Sequence, residues 1–125
     1  MNVLIDTHIL LWWLDVPAKL SSQARLCIED IKNNVFVSSA VIWEITIKKS
    51  IGKLQVPDGL LDILKEEGFI SLPITGQHVM GLEQLPNHHV DPFDRIQIAQ
   101  ALIEGITFIT RDKRILEYDV PCVKG

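Results

Sequence analysis

Cysteine is almost missing from these 125 residues: Cys27 and Cys122 lie far apart and form no C-x-x-C arrangement. Two reduced, mostly buried thiols are therefore the reading, not a redox or metal-binding motif. Long apolar runs are missing too. The longest, Ile9 to Leu14, is six residues, far below the roughly 20 that a bilayer span needs. The amino terminus lacks a basic flank followed by a cleavage site, so the sequence reads as a cytoplasmic protein with no membrane partner. Positive charge is not in excess either. Twelve Lys and Arg against sixteen Asp and Glu give a net charge of −4, which argues against a broadly basic nucleic-acid surface but says little about a single cleft. Internal repeats, linkers and low-complexity segments are absent. What remains, 47% apolar and 22% charged, is ordinary globular composition, and the length suits one domain over residues 1–125.

Short branched runs recur along the chain. Asn2-Val3-Leu4-Ile5, Val35 to Val37, Phe69 to Leu72 and Ile106 to Ile109 read as buried strands, with Pro121 to Val123 as a possible edge strand. Helical patterns separate them: Ile9 to Leu14, Gln23 to Lys32 behind Ser21 or Ser22, Ala40 to about Ser50 behind Ser38 and Ser39, and Leu60 to Glu67 ending at Gly68. Further on come His78 to Leu85 behind Thr75, Arg95 to Glu104 opened by Asp91-Pro92-Phe93-Asp94, and a small helix ending near Tyr118. This alternation predicts an α/β fold, a central parallel sheet of four to five strands with helices on both faces.

In such a sheet, strand ends and the helix starts that follow them share one edge. Asp6 and Asp112 fall just past buried strands, and Glu44 and Asp94 fall near the first turns of helices. Four carboxylates meeting there repel one another unless protons or a cation neutralise them, and Mg²⁺ or Mn²⁺ favours such oxygen ligands. Ions so held can activate water and stabilise the leaving oxygen of a phosphodiester, which is nuclease chemistry. Each acid also has a local account. Asp6 and Asp112 can be N-caps, Asp94 a first-turn acid beside the cap Asp91, and Glu44 an i,i+4 partner of Lys48. Spacing alone leaves both accounts open.

The stretches VLIDTHILLWWL, VSSAVIWEITIKKSIGKL, HHVDPFDRIQIAQAL and ITFITRDKRI resemble the PIN domain family, and within it the VapC-type toxins of bacterial toxin–antitoxin modules. HVDPFDRIQIAQA is the most specific of them. The resemblance covers nearly the whole chain and implies a three-layer α/β/α fold and a metal-dependent endoribonuclease, the toxin of its pair, using Mg²⁺ or Mn²⁺. It places the metal-site carboxylates on Asp6, Glu44, Asp94 and Asp112. Asp94 rather than Asp91 takes the family position, because Ala99 and Ala101 follow it at the family's spacing. Asp6 and Asp94 would be the principal ligands, with a metal-activated water attacking the phosphorus and no covalent intermediate. The resemblance further implies an RNA substrate, an antitoxin protein bound across the groove, and a homodimer.

Around these residues, Thr7 and Thr110 are placed to orient Asp6 or Asp112 by hydrogen bonds, or to cap their own turns. Arg95, Arg111, Lys113 and Arg114 are candidate phosphate contacts, or simply solvated helix-face charge. Trp12, Trp13 and Trp43 read as core or subunit interface in preference to base stacking. His88 and His89 read as exposed loop residues in preference to transition-metal ligands with Asp91 or Asp94. Two other functions fit an acidic α/β pocket. A phosphate-accepting receiver domain needs an Asp after a middle strand, which FISLPIT lacks; a catalytically silent PIN-like scaffold would bind a protein or RNA partner without cutting.

Overall fold

The computed structural model describes residues 1–125. Five strands, β1 (Asn2–Ile5), β2 (Asn34–Ser38), β3 (Ile70–Leu72), β4 (Thr107–Thr110) and β5 (Cys122–Lys124), form one sheet in the order β3-β2-β1-β4-β5. Every pairing is parallel. Seven α-helices accompany it: α1 (Thr7–Asp15), α2 (Ser22–Glu29), α3 (Ser39–Ser50), α4 (Leu60–Glu66), α5 (Gly76–Gly81), α6 (Pro92–Glu104) and α7 (Lys113–Leu116).

The alternation of side chains along a strand divides the apolar residues between two faces. Val3 and Ile5 of β1 join Ile9, Leu10, Ala24, Val37, Val41, Ile45 and Ile109 in one cluster, which α1, α2, α3 and α4 cover. Leu4 joins Ile98, Ala101, Phe108, Ile115 and Tyr118 in the other, under α6 and α7. Burying each large side chain here contributes about 1.5–3 kcal/mol, so the three-layer arrangement follows from strands that are apolar on both sides. β1 is the middle strand, with β2 on one side and β4 on the other. The strand order therefore reverses beside β1. The crevice at the carboxyl ends of β1 and β4 is where open parallel sheets bind ligands.

Two elements differ from the sequence expectation. The second helix stops at Glu29 instead of reaching Lys32, because Asp30 leaves helical backbone and its side chain accepts a hydrogen bond from the Lys32 N–H. Ile31, the apolar residue that suggested the longer helix, is 98% exposed and has no core to join. The pattern His78 to Leu85 is not one helix either: α5 passes into a 3₁₀ turn over Leu82–Gln84. Gly81 sits at that change, where an added Cβ would lie 3.0 Å from Ile103 Cδ1 on α6. A side chain here would have to push the tip of Ile103 aside by a few tenths of an ångström.

Candidate active site

Asp6 follows β1 directly and caps α1. Its Oδ1 accepts the Ile9 N–H at 3.0 Å, and its Oδ2 accepts the Thr110 hydroxyl at 2.6 Å. Thr110 is the last residue of β4, whose pairing with β1 puts the two strand ends side by side. Asp112, two residues further, caps α7 by accepting the Arg114 N–H on Oδ1 at 2.9 Å, while its own N–H donates to Thr110 Oγ1. Capping and site formation are thus compatible: a carboxylate has two oxygens, and the cap of Asp112 uses one of them.

Glu44 lies on α3 and is buried. Thr7 donates to its Oε1 at 2.6 Å, and Lys48 to its Oε2 at 2.8 Å. The i,i+4 pair with Lys48 is therefore present, and Thr7 orients Glu44, not Asp6 as one sequence reading had it. As the first residue of α1, Thr7 reaches the neighbouring helix. The start of α3 is tied to α6 by a buried bridge in which Ser38 donates to Gln100 Oε1 at 2.6 Å. This bridge fixes the helix bearing Glu44 against the helix bearing Asp94.

Asp94 is in the first turn of α6, behind Asp91, whose Oδ1 accepts the Phe93 and Asp94 N–H groups. Asp91 acts as the cap, as its position suggested. The four acids Asp6, Glu44, Asp94 and Asp112 all line one cavity of about 370 Å³, together with Asp91. Against five carboxylates the same walls carry three full cations, Lys48, Arg111 and Arg114. Burial drives the Asp6 carboxyl up from its ordinary range, against the lowering effect of the Thr110 and Ile9 bonds; the Asp112 charge adds a smaller push upward. Asp94 is pushed up to about 6, by burial first and then by the Asp91 charge, against the lowering effect of the His89 hydrogen bond; Asp6 adds a smaller push upward. Carboxylates that favour protonation when left alone are the donor set that a hard divalent cation neutralises, and in that respect the residues fit such an ion.

The structure corrects three expectations. His89 is buried, 5% exposed, and its Nε2 lies 2.6 Å from Asp94 Oδ2 and 3.4 Å from Asp112 Oδ2. It was read as an exposed loop residue because nothing local buries it; its loop is held by Tyr118 and Arg95, both downstream. A histidine five residues ahead of a first-turn acid was the available signal. His88, by contrast, is exposed, with its ring against Tyr118. Arg95 does not line the cavity. Its guanidinium donates to Pro86 O at 2.9 Å and to Tyr118 Oη at 3.0 Å, so it braces the loop instead of facing a phosphate. Lys113 is exposed outside the cavity, and its neighbour Arg114 takes the lining position, because the Asp112 cap sets the phase of α7.

Arg111 does line the cavity. It donates to Gly125 O and Lys19 O, and its guanidinium lies 4.7 Å from the centre of the Trp12 ring. Trp12 is the one apolar side chain in the lining. Trp13 packs on the core and donates to Glu67. Trp43 departs from the core reading, being 60% exposed with its edge against Phe93. No helix is long and apolar enough to cross a membrane.

Comparison with known proteins agrees with this fold. Ribonuclease VapC22 of Mycobacterium tuberculosis (strain ATCC 25618 / H37Rv) is 28% identical over 124 residues, 96% of this chain and 94% of that one. Among solved structures, VapBC2 from Rickettsia felis bound to a promoter DNA fragment superposes with a TM-score of 0.73 at 14% identity, covering 98% of each chain. DNA-bound VapBC from Salmonella typhimurium gives 0.71 at 14% identity, over 98% of this chain and 97% of that one. At these identities the structural matches speak for the fold alone. The sequence pattern of the PIN domain family matches residues 3–121, and the chain belongs to that family.

Proposed function

We propose that this chain, acting as a single domain in the cytoplasm, is a Mg²⁺- or Mn²⁺-dependent endoribonuclease and the toxin of a toxin–antitoxin pair. The observation that carries the reading is the meeting of Asp6, Glu44, Asp94 and Asp112, from four separate segments, around one open cavity. Ribonuclease VapC22, similar over nearly its whole length, supports it. Asp6 and Asp94 would hold the ion, with Glu44 and Asp112 completing its surroundings. A divalent ion bound there supplies charge neutralisation, a lowered pKa for water, and stabilisation of the leaving oxygen.

The remaining work falls to the chain's own side chains. Thr110 and the Ile9 N–H fix both oxygens of Asp6, and Thr7 with Lys48 fixes both of Glu44. Carboxylates held this way lose little freedom when a substrate phosphate arrives. Arg114 and the uncommitted N–H groups of Arg111 offer phosphate contacts at the cavity wall despite the acidic total. An antitoxin protein crossing this groove and a second copy of the chain are the partners the reading implies.

Purified protein should cleave RNA only with added Mg²⁺ or Mn²⁺. Asp6→Asn and Asp94→Asn should abolish cleavage while circular dichroism and melting stay those of a folded chain. Cleavage in excess chelator, or full activity in both variants, defeats the reading. A folded protein whose melting temperature rises with Mn²⁺ but which cuts no RNA would favour a binding scaffold instead.

A further inference from the structure

His89 belongs to none of the assignments above, yet its ring nitrogen lies nearer to Asp94 than any cationic side chain does, and the loop around it is firmly fixed. The His89 N–H donates to Tyr118 Oη at 3.1 Å, and Arg95 donates to the same oxygen and to Pro86 O. The imidazole therefore has little freedom to turn. Its two nitrogens play different parts. Nδ1 accepts the Val90 N–H at 3.1 Å, and accepting requires a lone pair there. With the Nδ1 lone pair engaged, the network assigns the ring proton to Nε2, which points at Asp94 Oδ2 (2.6 Å) with Asp112 Oδ2 next (3.4 Å).

His89, Asp94 and Asp112 have the spacing of a three-ligand metal site, all their ligand atoms lying within 4.8 Å of one another. The hydrogen bonds argue otherwise. To bind a metal through Nε2, the ring must move its proton to Nδ1, where it would face the Val90 N–H, donor against donor.

We infer that His89 is a positioning residue, a fixed Nε2 hydrogen-bond donor that occupies Oδ2 of Asp94 and leaves the other oxygen for a hard divalent cation, without itself joining the coordination. This rests on the reading of Asp94 as a cation holder. It makes Val90 N–H, through the tautomer it imposes, part of what selects oxygen-only coordination.

The test uses the full chain and no RNA. In ¹⁵N-labelled protein, His89 should show its proton on Nε2, and should keep it when Mg²⁺ is added. A proton found on Nδ1, or lost from Nε2 on adding Mg²⁺, overturns the proposal. Mg²⁺ titration by calorimetry supplies the second readout. His89→Ala should weaken binding about tenfold, the usual scale for removing a residue that orients a ligand, and His89→Gln, whose amide places an N–H near the same point, should recover most of it. If His89→Ala does not fold, the tautomer measurement and the Gln variant still decide. A wild type that binds Mg²⁺ with an Ala variant that binds equally well overturns this inference alone, whereas a wild type that binds no Mg²⁺ overturns the nuclease reading with it.

Discussion

Replacing Thr110 by valine isolates one hydrogen bond at the centre of the site. The two side chains are nearly isosteric and both suit a strand, so β4 should keep its place while Asp6 Oδ2 loses its only hydroxyl donor. A hydrogen bond to a charged group contributes about 1.5–3 kcal/mol. The lost Asp112 N–H bond adds little, because that residue is partly exposed and water can replace the hydroxyl. For 125 residues, 1 kcal/mol is about 4 °C of melting temperature, so the ion-free variant should melt about 6–12 °C lower wherever Asp6 is ionised. The effect must depend on pH. The Asp6 carboxyl titrates above its ordinary range because of burial, and the missing donor raises it further. The difference between wild type and Thr110→Val should therefore be full where both carboxyls are ionised, and should shrink as pH falls through those raised values. The residue left is the roughly 1 kcal/mol of a neutral bond. Melting curves of both proteins in chelator between pH 8 and 4.5 measure this. A loss independent of pH, or one under about 0.5 kcal/mol, typical of a neutral surface change, would refute the picture of Asp6 as a buried carboxylate held by Thr110.

Asp94, raised to about 6 against 3.8 when unfolded, stabilises the ion-free fold fully below 3.8 and progressively less as pH rises through 6. The chelated protein should therefore melt higher near pH 5 than at pH 7.5, Asp94→Asn should shrink that difference to what the raised Asp6 leaves, and saturating Mn²⁺ should reverse it. Arg95→Met should cost about 2 kcal/mol by freeing the loop that Arg95 braces, yet leave the salt dependence of RNA binding by an inactive Asp6→Asn background unchanged. Arg114→Gln in the same background should lower the slope of log K against log salt by about 0.7, the single-strand value for one phosphate contact, with little effect on melting. Equal slopes for the Arg95 and Arg114 variants would contradict the division of roles drawn from their positions.

Spacing alone left the carboxylates open between helix caps and a shared site, and the family resemblance singled out the four; their lining of one cavity follows from topology. Asp6 and Asp112 follow runs that can only be buried strands, and parallel pairing of β1 with β4 leaves their ends on the same edge. The caps were legible, since Asp91-Pro92 and Ser38 act within one helical turn and need no distant partner. Helix limits slipped where local pattern and burial disagreed, as at the solvent-exposed Ile31.

What escaped is whatever depends on a helix being covered on more than one side, or on one loop being held by another. The six consecutive residues Ile96 to Ala101 of α6 are all buried, because the sheet lies on one side and α3 and α5 pack on others. Amphipathic periodicity cannot announce that, so nothing local marks Gln97 and Gln100 as buried, yet Gln100 ties α6 to Ser38. The same cause hid His89. Its burial depends on Arg95 and Tyr118 closing over a loop whose own residues, Pro86 to Asp91, carry only turn and cap signals. The sites where local reading fails are those where one polar side chain has been placed by several distant ones, and such placement costs conformational entropy that a mere solvated loop would not need to give up. That cost marks the fixed histidine beside Asp94 as a feature of this edge that helix capping alone does not require.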